Sequence, residues 1–203
     1  MADVAMFPLG SVLFPHTPVV LRVFEPRYLT MVGRLLDEED PQFGIVLIER
    51  GHEAGGGDQR SGVGTMARLM QVQAGAEDIQ IVAVGGDRVL VEEWLEDDPH
   101  PAARVSVLPR LTWDDALMPL LTEADRIVRR VLGRAAQVGP TAWDADTEIS
   151  DDPVEAAWQL AAIAPLGEFD RFTLLQSTSM GALLRELIDL SLDMEPLLQP
   201  FAD

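Results

Sequence analysis

The chain of 203 residues contains no cysteine and no lysine, and both absences exclude whole classes of chemistry. Without cysteine there is no disulfide and no thiol nucleophile. All 15 basic residues are arginine, so a lysine Schiff base, a Ser-Lys dyad and a Walker A lysine are excluded together. Any catalytic function would have to use other side chains.

Long apolar runs are also missing. A membrane-spanning helix needs about 20 consecutive apolar residues, and no stretch approaches that length. The N-terminus does not resemble a signal peptide, because Asp3 stands where a basic region belongs and a proline interrupts the apolar stretch. We therefore expect a soluble cytoplasmic protein with no membrane partner.

Positive charge is scarce, and the formal net charge is −19. Residues 1–110 carry 17 acidic and 9 basic residues, and residues 111–203 carry 17 acidic and 6 basic residues. Neither half can neutralise phosphates over a broad surface, so nucleic acid and acidic membranes are disfavoured as partners. A strongly acidic body can attract basic or unfolded client proteins, but on its own it indicates only a solvated surface.

The first half is predicted to be β-rich. Short apolar and β-branched segments at close spacing are typical of a meander or barrel. The predicted strands are 4–9, 17–24, 43–48, 63–73, 79–84, 88–94 and 104–108. Tight turns are predicted at 15–18, 75–78 and 85–87, and a polar, glycine-rich loop at 51–62.

One helix is predicted within this half. It begins at Pro26, since proline is tolerated in the first turn of a helix. Its apolar face, at helical spacing, comprises Tyr28, Met31, Val32, Leu35 and Leu36. The acidic residues 37–40 and Pro41 end it.

The second half is predicted to be a helical bundle because its apolar residues repeat at helical spacing. The first helix has one face formed by Leu117, Leu120, Leu121, Ala124, Val128, Val131, Leu132 and Ala135, and it stops at Gly139-Pro140. An acidic connector follows. Asp152 is then a predicted N-cap, with Pro153 in the first turn and Glu155 at the third position.

Three more helices complete the predicted bundle. The helix after Asp152 buries Ala157, Trp158, Ala161 and Ala162. A short helix carries Phe169, Phe172, Leu174 and Leu175. The last helix presents Met180, Leu183, Leu184, Leu187 and Ile188, and ends near Pro196.

Short motifs follow one another in a characteristic order and spacing. The first are Phe7-Pro8-Leu9, Phe14-Pro15 and Phe24-Glu25-Pro26-Arg27-Tyr28. The next are Phe43-Gly44, Val63-Gly64-Thr65-Met66-Ala67, Gly86-Asp87-Arg88, residues 160–166, residues 172–176 and Ser177-Thr178-Ser179. Together they resemble the N-terminal substrate-recognition domain of ATP-dependent Lon (La) proteases. They resemble still more closely the small stand-alone proteins built from that domain alone.

The resemblance implies an α+β fold, with a PUA-like β-barrel over residues 1–110 followed by a C-terminal helical bundle over residues 111–203. It implies binding of unfolded or peptide segments of other proteins, without a cofactor. In the full proteases, ATPase and peptidase modules follow this domain, and neither the ATPase loop nor the Ser-Lys dyad exists without lysine. We therefore expect a non-catalytic adaptor in protein quality control, monomeric or weakly dimeric, beside a separate protease.

Seven residues are candidates for partner binding: Phe14, Pro15, Glu25, Arg27, Tyr28, Met66 and Arg88. Two interpretations of the cluster around Arg27 remain open. It lies beside a client-binding groove, or Arg27 ties the helix start to the barrel while Tyr28 enters the core, and we prefer the second. Phe14, Pro15 and Met66 are candidates for an exposed apolar patch, whereas Arg88 is expected to brace a turn.

Other polar features predict no site. The segment 51–58 has the glycines of a phosphate cradle but lacks its lysine. The three histidines have no ligand spacing and predict no metal: they are His16, His52 and His100. The acidic pairs Glu92-Glu93 and Asp97-Asp98 are expected to be solvated charges that discourage aggregation at a strand edge.

The alternative function is that of a small-molecule-binding or enzymatic barrel. Its site is expected at the junction of barrel and bundle, where pockets commonly form. RNA binding by analogy with PUA-type barrels conflicts with the excess of negative charge.

Overall fold

The structure is a computed structural model that describes residues 2–50, 59–76 and 78–198. It divides into two compact units, Met1–Arg110 and Leu111–Asp203. Most of the predicted glycine-rich loop, including His52, lies outside the described residues, as does Glu77 of the predicted turn at 75–78. No helix in the described part of the chain combines the length and apolarity that crossing a membrane requires.

The first unit contains six strands and a helix. They are β1 (Ala2–Leu9), β2 (Pro18–Val23), α1 (Pro26–Leu35), β3 (Gln42–Arg50), β4 (Gln59–Ala74), β5 (Ile79–Trp94) and β6 (Ala102–Val107). The strands form one sheet in the order β2-β5-β4-β3-β1-β6, and β5 also pairs with β6, so the sheet closes on itself. The pairing of β1 with β3 is parallel and the other pairings are antiparallel.

The turn predicted at residues 85–87 is wrong, because these residues lie inside one continuous strand, β5. Opposite them, the register with β4 shifts between Thr65 and Ala67. A Cβ atom at Gly85 would overlap the carbonyl oxygen of Phe14. The glycine therefore permits a close backbone approach within a strand, which is a common reason for glycine there.

The main core of the first unit lies between α1 and the sheet. The helix buries Tyr28, Met31, Val32 and Leu35 against strand residues that include Phe7 and Phe43. Leu36, predicted on the same apolar face, is exposed because it follows the last helical residue. A smaller cluster comprises Met6, Val46, Val89, Ala103 and Val105.

The second unit is helical. A 3-10 helix (Asp115–Leu117) precedes α2 (Met118–Val138), α3 (Pro153–Ile163), α4 (Glu168–Leu175), α5 (Met180–Met194) and a second 3-10 helix (Glu195–Leu197). The predicted stripe of α5 is buried as expected. Phe169 lies in α4, the predicted short helix, and is 79% exposed.

The helix starts follow local sequence. A carboxylate oxygen of Asp152 accepts hydrogen bonds from the N–H groups of Val154 (2.9 Å) and Glu155 (3.1 Å), which confirms the predicted cap. Ser179 caps α5 by accepting from Ala182 N–H at 3.2 Å. The predicted α+β class is confirmed: a strand-rich unit is followed by a helical one. The finer description as PUA-like stays a prediction.

Candidate functional site

The Arg27 cluster lies at the start of α1. Tyr28 is buried in the core, and its ring stacks on that of Phe7 with centroids 4.0 Å apart. The Arg27 guanidinium lies 4.6 Å from the centre of the Tyr28 ring, and its Nε donates to the Glu25 carboxylate at 3.1 Å. Tyr28 therefore enters the core, in agreement with that part of the preferred interpretation. A partner-binding role for Glu25, Arg27 and Tyr28 stays a prediction.

The predicted exposed patch does not form at Phe14 and Pro15. Phe14 exposes 1% of its surface, and Pro15 is buried. The carbonyl of Phe14 accepts a hydrogen bond from the hydroxyl of Thr17 at 2.7 Å. Met66 is half-buried and packs against the smaller core cluster. The partner-binding role of these residues stays a prediction.

Arg88 is buried and braces the chain. Its Nη2 donates to the carbonyl of Pro109 at 3.0 Å, and burial lowers the pKa of its guanidinium. The neighbouring Asp87 carboxylate accepts from Arg110, and this hydrogen bond lowers the pKa of Asp87. Since Arg88 lies within a continuous strand, it supports the segment after β6 rather than a turn.

The described histidines and acidic residues are engaged in separate local contacts. His100 is buried, with Nδ1 3.0 Å from the carbonyl oxygen of Pro101. Glu92 accepts a hydrogen bond from the Ser106 hydroxyl at 2.6 Å. Glu93 accepts one from the Arg104 guanidinium, also at 2.6 Å. Across residues 2–50, 59–76 and 78–198, no three histidine or acidic side chains are grouped so that they could hold a metal ion.

An exposed apolar surface does occur on the outer face of the sheet. Along β2, Val19, Leu21 and Val23 face the core, while the alternate residues face out. We call this surface the outer stripe: it comprises Val20 of β2, Val82 and Val84 of β5, and Met70 of β4. Val20 is 57% exposed and Met70 61% exposed, and the two β5 valines are half-buried.

The pairing register places the outer stripe across three strands. Val20 pairs with Val82, and Val82 pairs with Gln71 of β4. Met70 lies between Leu69 and Gln71, where the pairing of β4 with β5 shifts its register. Ion pairs flank the stripe: Arg22 with Asp78, and Arg68 with Asp40 at 3.1 Å. An apolar centre with a polar rim is typical of protein interaction surfaces.

Sequence reasoning missed Val20 and Met70. Both follow another apolar residue, Val19 and Leu69 respectively, so apolar side chains occupy both faces of the strand at these points. The break in the alternation of apolar and polar residues therefore indicates that one apolar side chain of each pair faces outwards. It could not say which of the two neighbours faces the core.

The helical unit contains a groove of about 550 Å³. Its walls include Leu132, Trp143, Ile163, Leu166 and Arg171. Trp143 is 37% exposed and offers an apolar ring to the groove.

Arg171 already has partners at this groove. It donates to the carbonyls of Ala162 at 2.9 Å and Ala164 at 3.4 Å, and burial lowers the pKa of its guanidinium. Arg171 thus caps the C-terminal end of α3, and no pattern in the sequence indicates this contact.

Comparison with known proteins identifies relatives over nearly the whole chain. A search of the curated proteins found no match. Among solved structures, the chain is similar to a Lon N-terminal domain protein from Xanthomonas campestris, with a TM-score of 0.65, 26% identity and coverage of 93% of this chain and 98% of that one.

It also shares the fold of the N-terminal domain of Mycobacterium avium complex Lon protease, with a TM-score of 0.68, 18% identity and coverage of 95% and 99% of the two chains. The family model of the ATP-dependent protease La (LON) substrate-binding domain matches residues 3–191. Sequence and fold agree, and the chain belongs to the family of ATP-dependent protease La (LON) substrate-binding domains.

Proposed function

We propose that the chain is a non-catalytic module that binds unfolded or extended segments of other proteins through the outer stripe. The observation that carries the proposal is this exposed apolar surface on a member of a substrate-binding family. The proposal includes an adaptor role in protein quality control, beside a separate protease in the cytoplasm.

The outer stripe suits such a client chemically. Valines offer a flat apolar surface, and Met70 adds a flexible side chain that adapts to different partners. Covering an apolar side chain of this size contributes about 1.5–3 kcal/mol, so the stripe can supply weak to moderate affinity. The net charge of −19 would favour basic clients over acidic ones.

The first test measures binding to a fluorescently labelled unfolded model protein, with the folded form as control. We expect selective binding to the unfolded form. The double substitution Val20→Ser with Met70→Ser is expected to weaken it by at least about tenfold, because it removes two apolar contacts. The matched control is Val107→Ser: Val107 is 63% exposed and pairs with Val89, which lies about 20 Å further along β5 than Val82.

Two results would contradict the proposal. Equal loss of binding in the control variant would assign the effect to general surface hydrophobicity. Equal binding of folded and unfolded protein by the wild type would remove the recognition of unfolded segments altogether.

A second candidate function is binding of a small molecule, favoured by the groove of the helical unit. Its apolar walls and Trp143 suit an apolar group. A thermal-shift screen of metabolites tests it, because a ligand specific to the folded state raises the apparent stability. A screen without any stabilising compound would count against this candidate and leave the polypeptide-binding proposal untouched.

A further inference from the structure

Strand β2 lies at the end of the strand order. Within the described part of the chain it pairs with β5 alone, and its other side carries no strand. The residues of β2 on the outer face are exposed, and so is Phe24 just after it, at 59%. The outer face next to this unpaired side of β2 is therefore accessible.

The direction of the backbone groups follows from the register. The N–H of Gly85 donates to the carbonyl of Thr17 at 2.9 Å. Thr17 and Gly85 are therefore a hydrogen-bonded pair, in which the backbone groups of residue 17 point towards β5. In an antiparallel pair such positions alternate, so Val19 and Leu21 face β5 with their backbone groups. The N–H and C=O groups of Val20 and Arg22 consequently point to the open side.

Pro18 fits the same pattern. It pairs with Val84, and its backbone nitrogen is directed to the open side, where a missing N–H breaks no hydrogen bond to β5. The strand is short, and its exposed Arg22 pairs with Asp78. Proline, charge and short length prevent open-ended aggregation at an edge, while a short segment of a partner can still pair there.

We propose that β2 binds its client by strand addition: an extended segment of the client pairs along the open side of β2. This inference rests on the proposed function and specifies the class of client. Neighbouring strands lie about 4.8 Å apart, so every second side chain of the added strand lies beside Val20 and extends the outer stripe. The client segment is therefore one in which apolar residues alternate with other residues.

The charge of the protein indicates which residues stand between the apolar residues of the client segment. Residues 1–110 carry 17 acidic and 9 basic residues, and the whole chain has a net charge of −19. A basic segment is attracted to a chain with this excess of negative charge, and an acidic one is repelled. The occupant is thus an extended polypeptide segment with alternating apolar and basic side chains.

The test uses a capped peptide of alternating valine and arginine and two N-methylated versions of it. One version carries N-methyl groups on the valines and the other on the arginines, and binding of each to the full chain is measured. Because N–H groups of a strand alternate in direction, one version loses its hydrogen bonds to β2 and the other does not. We expect at least a tenfold loss for one version and less than a twofold loss for the other.

Two variants of the protein test the same hydrogen bonds from the other side. Val20→Pro removes the outward N–H, whereas Val20→Thr replaces one methyl group of the valine by a hydroxyl group and keeps the N–H. We expect Val20→Pro to bind the unmethylated peptide about tenfold more weakly than Val20→Thr, with circular dichroism as the check on folding. If Val20→Pro does not fold, the methylated peptides decide the matter alone.

The outcomes separate the two proposals. Equal binding of both methylated peptides would overturn strand addition. The proposed function would nevertheless stand if the double variant Val20→Ser with Met70→Ser binds unfolded protein more weakly than the wild type does. Self-association of the wild type that is abolished by Val20→Pro would also overturn strand addition by a client, because a second copy of the chain would then occupy the edge of β2. Failure of the wild type to bind either peptide or unfolded protein would remove both proposals.

Discussion

Replacing Gly85 by alanine is expected to destabilise the first unit by about 3 kcal/mol or more. The added methyl group would overlap the carbonyl oxygen of Phe14 and approach the carbonyl carbon at 3.0 Å. Neither of these backbone atoms can move freely, because the adjoining His16 N–H donates to the Gly85 carbonyl at 2.8 Å and Thr17 bonds back to Phe14. Urea denaturation followed by circular dichroism, with hydrogen exchange to localise the effect, measures the change.

The adjacent glycine provides the matched control. A Cβ atom at Gly86 would lie 3.5 Å from the carbonyl oxygen of Met66, which is an ordinary contact, and neither glycine has a left-handed φ angle. Gly86→Ala should therefore change the free energy of unfolding by no more than about 1 kcal/mol. Identical unfolding midpoints for the two variants would show that the close approach at Gly85 carries no energetic constraint.

Replacing Arg171 by methionine is expected to destabilise the helical unit by about 3 kcal/mol. The arginine side chain is only 17% exposed, and it donates to two carbonyls at the end of α3. Methionine has a similar length but no donor, so Ala162 and Ala164 would each keep a carbonyl without this partner. A buried polar group left unsatisfied costs about 1–3 kcal/mol.

The control for Arg171 is an exposed arginine in an ion pair. Arg126 donates to Glu123 at 2.6 Å with a side chain that is 56% exposed, and surface pairs of this kind contribute little. Arg126→Met should leave the unfolding midpoint unchanged, and Arg171→Lys should recover part of the loss because lysine restores a donor. The prediction is wrong if the methionine variants at both positions unfold alike.

Local structure was largely predictable from the sequence. The cap at Asp152 and the buried stripe of α5 follow from residues within one or two turns of each other. The helix start at Pro26 likewise needs only the intrinsic φ angle of proline. Each of these features depends on residues that are close in sequence, so the local sequence pattern is enough to predict it.

Exposure was harder to predict than secondary structure. Phe14 is a candidate for an exposed patch and is buried, whereas Leu36 is predicted on an apolar helix face and is exposed. Phe169, which the sequence places in a short helix, is exposed as well. All three are apolar residues, but their neighbours along the chain differ: Phe14 lies among apolar residues, whereas Phe169 stands between Glu168 and Asp170. Which side of such a segment meets the core depends on the elements that pack against it, and these are distant in sequence.

The sequence by itself determined the family, the α+β class, the helix caps and the exclusion of lysine and thiol chemistry. Only the tertiary structure decided that Gly85 lies within a strand, that Val20 and Met70 face out, and that one side of β2 is open. The reason is physical: caps and amphipathic periods arise from interactions over a few residues. An open edge is defined by pairing between segments such as 18–23 and 79–84, which the chain brings together from some sixty residues apart.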